Sequence, residues 1–136
     1  MIEKFVKRWE ARKHLLREQF AETAPTTYEE VVKGVISILH DPDEYASPDP
    51  NRIIEIDHGE YQGTLLYVIG ADDYQPHIYW YVMINYGSCS GCDTLTSISD
   101  LDTWGQERPT DEQVRQYMVL AMHIVQGLRE MGRTDA

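Results

Sequence analysis

Apolar residues recur at helical spacing over the first twenty positions: Ile2, Phe5, Val6, Trp9, Leu16 and Phe20, with Lys and Arg set between them. This predicts an amphipathic helix over residues 2–21. Pro25 closes it, because the residue before a proline is pushed out of the α region. A second apolar set, Val31, Val32, Val35, Ile36, Ile38 and Leu39, predicts a helix over 27–40. Thr26 with Glu29, and Thr27 with Glu30, both fit the capping box that starts such a helix. Asp41-Pro42-Asp43 stops it, and the three prolines of residues 41–51 predict a loop there. Three strands follow, over residues 52–57, 64–69 and 77–86, separated by turns at 58–63 and 71–76. In the third, Ile78, Trp80, Val82 and Ile84 share one face while Tyr79, Tyr81, Met83 and Asn85 share the other. Both faces are largely apolar, which predicts a central strand covered on both sides. Residues 87–109 read as irregular, with a short strand or helical turn over 95–98. A long helix over 111–131 closes the pattern, capped by Thr110 with Gln113 and ended by Gly132. Its stripe of Val114, Tyr117, Met118, Ala121, Ile124, Val125, Leu128 and Met131 is widened by Val119, Leu120 and Met122. That width predicts deep burial or contact with a second subunit, and it places His123 in the core.

The order α-α-β-β-β-α predicts an α+β domain spanning 1–136. A small antiparallel sheet of three or four strands packs with two N-terminal helices and one long C-terminal helix. The 136 residues suit one core, and the 42% hydrophobic content is too high for a disordered chain. No apolar run approaches the roughly 18 residues needed to cross a bilayer. Charges thread the first nine residues where a secretory signal would need an unbroken apolar stretch. The expectation is a cytoplasmic protein with its two cysteines as thiols.

Charge changes the picture more than composition does. The net charge is −11, yet residues 1–20 hold six Lys/Arg against three Asp/Glu, while residues 41–112 hold two against fifteen. The acidic middle argues against direct DNA binding, because phosphates would repel it. It suits a solubilising surface or a face that docks on a basic partner protein. The basic first helix carries Lys4, Lys7, Arg8, Arg12, Lys13 and Arg17 around its apolar stripe. It is expected to pair this rim with the acidic body rather than with nucleic acid or a membrane.

The most unusual segment is Tyr86-Gly87-Ser88-Cys89-Ser90-Gly91-Cys92-Asp93-Thr94-Leu95. Cys89 and Cys92 supply half of a tetrahedral zinc site, with His58, His77 or Asp93 as the candidates for the rest. A redox role of the thioredoxin type would place the first Cys at a helix N-terminus and in a βαβ setting, the latter not found here, and Asp93 would oppose a thiolate. Packing of two small residues in a tight Gly/Ser turn is the third reading. The Gly87/Gly91 pair lacks the lysine and spacing of a phosphate loop. Residues 41–52 imitate a calcium loop but have Ala46 and Arg52 where Gly and Glu are needed. Asp72-Asp73 reads as a hairpin tip. No histidine pair, nucleophile elbow or triad is discernible, so no catalytic residue is assigned.

The Tyr86–Leu95 stretch, the triplets Gly63-Thr64-Leu65 and Tyr74-Gln75-Pro76, and the closing helix 117–128 resemble a group of small, uncharacterised bacteriophage proteins. The resemblance covers roughly residues 50–131. It implies a phage or prophage origin and carries over no functional residues. Together these features predict a non-catalytic accessory protein that binds and modulates a host or phage protein, one that handles nucleic acid or serves in defence. Its contact surface is expected at Asp41, Asp43, Glu44, Tyr45, Tyr61, Asp72, Asp73, Tyr74 and Trp104, since tyrosine and tryptophan anchor interfaces. The alternatives are a metal- or thiol-dependent protein centred on Cys89 and Cys92, with zinc as the cofactor, and a homo-oligomer built on the C-terminal helix.

Overall fold

Both predicted Thr-initiated helix starts form reciprocal capping boxes in the computed structural model, which describes residues 2–44, 47–57, 64–72, 78–85 and 108–130. Helix α1 spans Ile2–Glu22 and α2 spans Tyr28–Leu39. Strands β1 (Pro48–Asp57), β2 (Thr64–Ala71) and β3 (Tyr79–Asn85) follow, then α3 (Asp111–Gly127) and a two-residue β4 (Arg129–Glu130). At α2, Thr27 rather than Thr26 is the cap: its hydroxyl accepts from Glu30 N–H at 3.1 Å, and the Glu30 carboxylate accepts from Thr27 N–H at 3.3 Å. At α3, Gln113 N–H donates to Thr110 Oγ1 at 3.1 Å and Thr110 N–H donates to Gln113 Oε1 at 2.9 Å. Each box satisfies donors that a helix start leaves orphaned.

The sheet is an antiparallel meander in the order β1-β2-β3-β4. The three helices cover one of its faces, with α1 against α2 and α3, α2 against β1, and α3 against β3. Tyr67 and Ile69 of β2 and Trp80 and Val82 of β3 point into this core with Leu16, Val35, Ile36, Leu39, Tyr117 and Val125 from the helices. Phe5 meets Trp80 edge-on at 5.8 Å between ring centroids, and Phe20 meets Tyr117 at 5.6 Å. Such aromatic pairs fix α1 against both the sheet and α3. No helix among the described residues is long and apolar enough to cross a membrane.

Four expectations are corrected. β1 begins at Pro48 rather than Arg52, since an edge strand tolerates prolines and the pairing with β2 is irregular between Pro48 and Ile53. α3 ends at Gly127 rather than residue 131: Leu128 is extended (φ −64°, ψ 133°), and the chain turns straight into β4, pairing Arg129 with Tyr81 and Glu130 with Trp80. Gly132, the expected cap, lies outside the described residues. His123 is exposed, not in the core. Among the described residues β3 is covered on one face only: Trp80, Val82 and Ile84 are buried, while Tyr79 and Met83 are exposed. The predicted element at 95–98 lies outside the described residues.

Candidate functional site

The cations of α1 fall into two rows. Lys4, Arg8 and Arg12, one helical turn apart, face the end of α2 and the acidic loop after it. Arg8 Nη1 donates to the Leu39 carbonyl at 2.8 Å, and its Nη2 donates to Glu44 Oε2 at 2.7 Å. Arg12 Nη1 donates to the carbonyls of Ile38 and His40 at 3.1 and 2.9 Å. The last turn of α2 contains no basic residue of its own. Two guanidinium groups from α1 therefore satisfy its free carbonyls and its negative dipole end. Lys4 Nζ adds a contact to Glu44 Oε1 at 3.2 Å. The Arg8 hydrogen bond, supported by Lys4, holds the Glu44 carboxyl below its ordinary range despite partial burial.

Next to this clamp, His40 Nδ1–H donates to the Pro48 carbonyl at 2.9 Å, the tautomer being set because a carbonyl can only accept. Its Nε2 lies 3.5 Å from Asp72 Oδ2. Ser47, fully buried, accepts from Asp41 N–H through its hydroxyl at 2.9 Å and from Asp72 N–H through its carbonyl at 2.7 Å. Arg52 Nε donates to Asp49 Oδ2 at 3.1 Å. The structure thus brings Asp41, Asp43, Glu44 and Asp72 of the expected contact surface to one end of the molecule. Asp41 and Glu44 are drawn into internal bonds, whereas Asp43 and Asp72 are exposed. Tyr45, Tyr61, Asp73, Tyr74 and Trp104 lie outside the described residues, as do Cys89 and Cys92. Among the described residues no three His, Cys, Asp or Glu side chains gather closely enough to hold a metal ion.

A second surface was not singled out from the sequence. On the side of the sheet away from the helices, strand register aligns Ile54 with Val68 and Tyr81, and Ile56 with Leu66 and Met83. Ile54 is 60% exposed and Met83 57%. Antiparallel sheets with one solvated face ordinarily present polar residues there. Here two cross-strand rows are apolar from β1 to β3, and the charges beside them among the described residues, Arg52 packed near Gly70 and Arg129 opposite Tyr81, are basic. The alternation in β3 contained the signal, since Tyr79, Tyr81 and Met83 stand opposite its core residues.

The chain matches no family model, no curated protein and no solved structure.

Proposed function

We propose that this is a non-catalytic binding protein: an acidic accessory factor of bacteriophage type, acting in the host cytoplasm by binding and modulating a host or phage protein. The observation that supports this reading best is the apolar outer face of the sheet. Contiguous exposed apolar rows are uncommon on isolated domains and mark interaction sites. The proposed occupant is a protein that presents an apolar patch to these rows and carries its basic surface outside that patch, facing the acidic body of this −11 chain rather than Arg52 and Arg129. Asp43 and Asp72 remain available for steering such a partner.

The test is capture from nuclease-treated bacterial lysate at low and high salt, read by mass spectrometry. The wild type is compared with Ile54→Asp and Arg17→Glu, both exposed positions and both checked for folding by circular dichroism. The expected result is one stoichiometric basic partner, weakened by salt, lost with Ile54→Asp and kept with Arg17→Glu. Equal capture by Ile54→Asp would overturn the assignment of the face. A dimer in light scattering that Ile54→Asp dissolves would give the face to a second copy and displace the partner reading.

A further inference from the structure

The second row of α1 cations has a different setting from the first. Lys13, His14 and Arg17 line a groove of about 300 Å³ between α1 and α3, with Arg115 on the opposite wall. The floor is Trp9, Met118, Val119 and Met122. The chain holds 23 Asp/Glu against 12 Lys/Arg, yet among the described residues no acidic side chain lines this groove. Lys13 pairs with Glu10 at 2.9 Å and Arg115 with Glu112 at 2.5 Å, each along its own helix and each solvent-exposed. Exposed pairs of this kind are weakly held and can be exchanged for a ligand carboxylate. Arg17 makes no ion pair among the described residues.

We propose that this groove binds an acidic amphipathic segment of a partner protein, with apolar side chains on the Trp9–Met118–Val119–Met122 floor and carboxylates on Lys13, Arg17 and Arg115. Charge complementarity selects the sign of the occupant. The spread of the charges selects its form. Lys13 and Arg17 stand one turn apart, about 5–6 Å, with Arg115 on the facing helix, which suits carboxylates repeated along a helix rather than one anionic head group. A volume at the lower limit of ordinary ligand pockets admits a few side chains rather than a whole ligand. Two methionines in the floor adapt to different apolar shapes. This site is separate from the sheet face and of opposite charge preference.

The probe is a fluorescein-labelled synthetic helix of about four turns, with Leu and Phe on one face and Glu on the other. A control peptide carries Lys in place of every Glu. Anisotropy titrations use the full 136-residue chain. The expected result is saturable, salt-weakened binding of the Glu peptide and none of the Lys peptide. Arg17→Glu should weaken it at least about tenfold, by replacing attraction with repulsion. Val119→Asp, at a position 39% exposed, should do the same, while Ile54→Asp leaves it unchanged. No saturable binding, or binding indifferent to Arg17→Glu, overturns the proposal. Calorimetric binding of dodecanoate without peptide binding would give the groove to an anionic amphiphile. A dimer dissolved by Arg17→Glu would give it to a second copy. Either result also overturns it.

Discussion

Arg8→Ala tests the clamp between α1 and the end of α2. Arg8 is 13% exposed at its side chain and donates to one backbone carbonyl and one carboxylate. Hydrogen bonds involving a charged group contribute roughly 1.5–3 kcal/mol each where they are shielded. Two discounts apply. Glu44 is 22% exposed and retains Lys4 at 3.2 Å, so its part falls toward the roughly 0–1 kcal/mol of a surface pair. The Leu39 carbonyl would also regain some water. The expected loss is about 2 kcal/mol, which at a urea dependence of roughly 1–3 kcal/mol per molar moves the denaturation midpoint down by about 1 M. Arg8→Lys should recover only part of it, since one ammonium cannot reproduce the planar fork. The loss should also depend on pH. The folded-state pKa of Glu44 is depressed, so its contribution is fully present above the ordinary glutamate value of about 4.5 and disappears as pH falls through the lower folded value. The gap between wild type and Arg8→Ala should therefore narrow on acidification below about pH 4.5, leaving mainly the carbonyl contribution. A midpoint within about 0.2 M of wild type at neutral pH, or a gap that widens in acid, would refute the reasoning.

Tyr67→Phe removes a hydroxyl that donates to Glu55 Oε1 at 2.6 Å from a fully buried ring, and urea denaturation should show a loss of about 1 kcal/mol. Thr110→Ala breaks the α3 capping box and should lose about 1 kcal/mol in the same assay, with Thr110→Ser near wild type. Gly34→Ala would place a Cβ 2.8 Å from Leu16 Cδ1, in a side chain with no exposed surface. Overpacking there should outweigh the gain in helix propensity of up to about 1 kcal/mol, leaving a net loss measurable by thermal melting; net stabilisation would show that Leu16 has room to move.

What was legible in the sequence was local. The capping boxes at Thr27 and Thr110 involve residues three apart, and the alternation of Trp80, Val82 and Ile84 needs no partner to be read. What was missed depends on distant segments. Pro48 and Pro50 argue against a central strand, but they lie at the start of an edge strand, where an N–H can be spared. The apolar stripe of α3 continues through Leu128, although the helix has already ended at Gly127, because the pull into β4 comes from pairing with β3. His123 shares a helix with eight buried residues but projects away from all of them. The capping of α2 by Arg8 and Arg12 joins residues about thirty positions apart; its only trace is a helix end without a cation of its own, beside a helix with too many. The expected pairing of the basic rim with the acidic body holds for Lys4 and Arg8, and does not extend to Arg17 among the described residues.

The internal use of Asp41 and Glu44 separates two roles that net charge alone runs together. A carboxylate whose charge is already balanced by Arg8 gains less from a partner's cation, so the acidic loop supplies less short-range affinity than its charge suggests. It still contributes to the field of the molecule, which acts over roughly a Debye length of 8 Å at physiological salt and governs the rate of encounter. Short-range affinity must then come from groups with free surface to bury. Ile54, at 60% exposure, has roughly 1–2 kcal/mol to gain from complete burial, and Met83 a similar amount. Salt sensitivity of a complex would therefore report steering by the acidic body and not the location of the contact. Neutralising the exposed Asp43 and Asp72 should slow association and flatten its salt dependence while leaving dissociation nearly unchanged; Ile54→Asp should do the reverse, accelerating dissociation. Stopped-flow rates resolve the two, and an Asp43→Asn, Asp72→Asn variant that mainly accelerates dissociation would return the acidic loop to the interface itself.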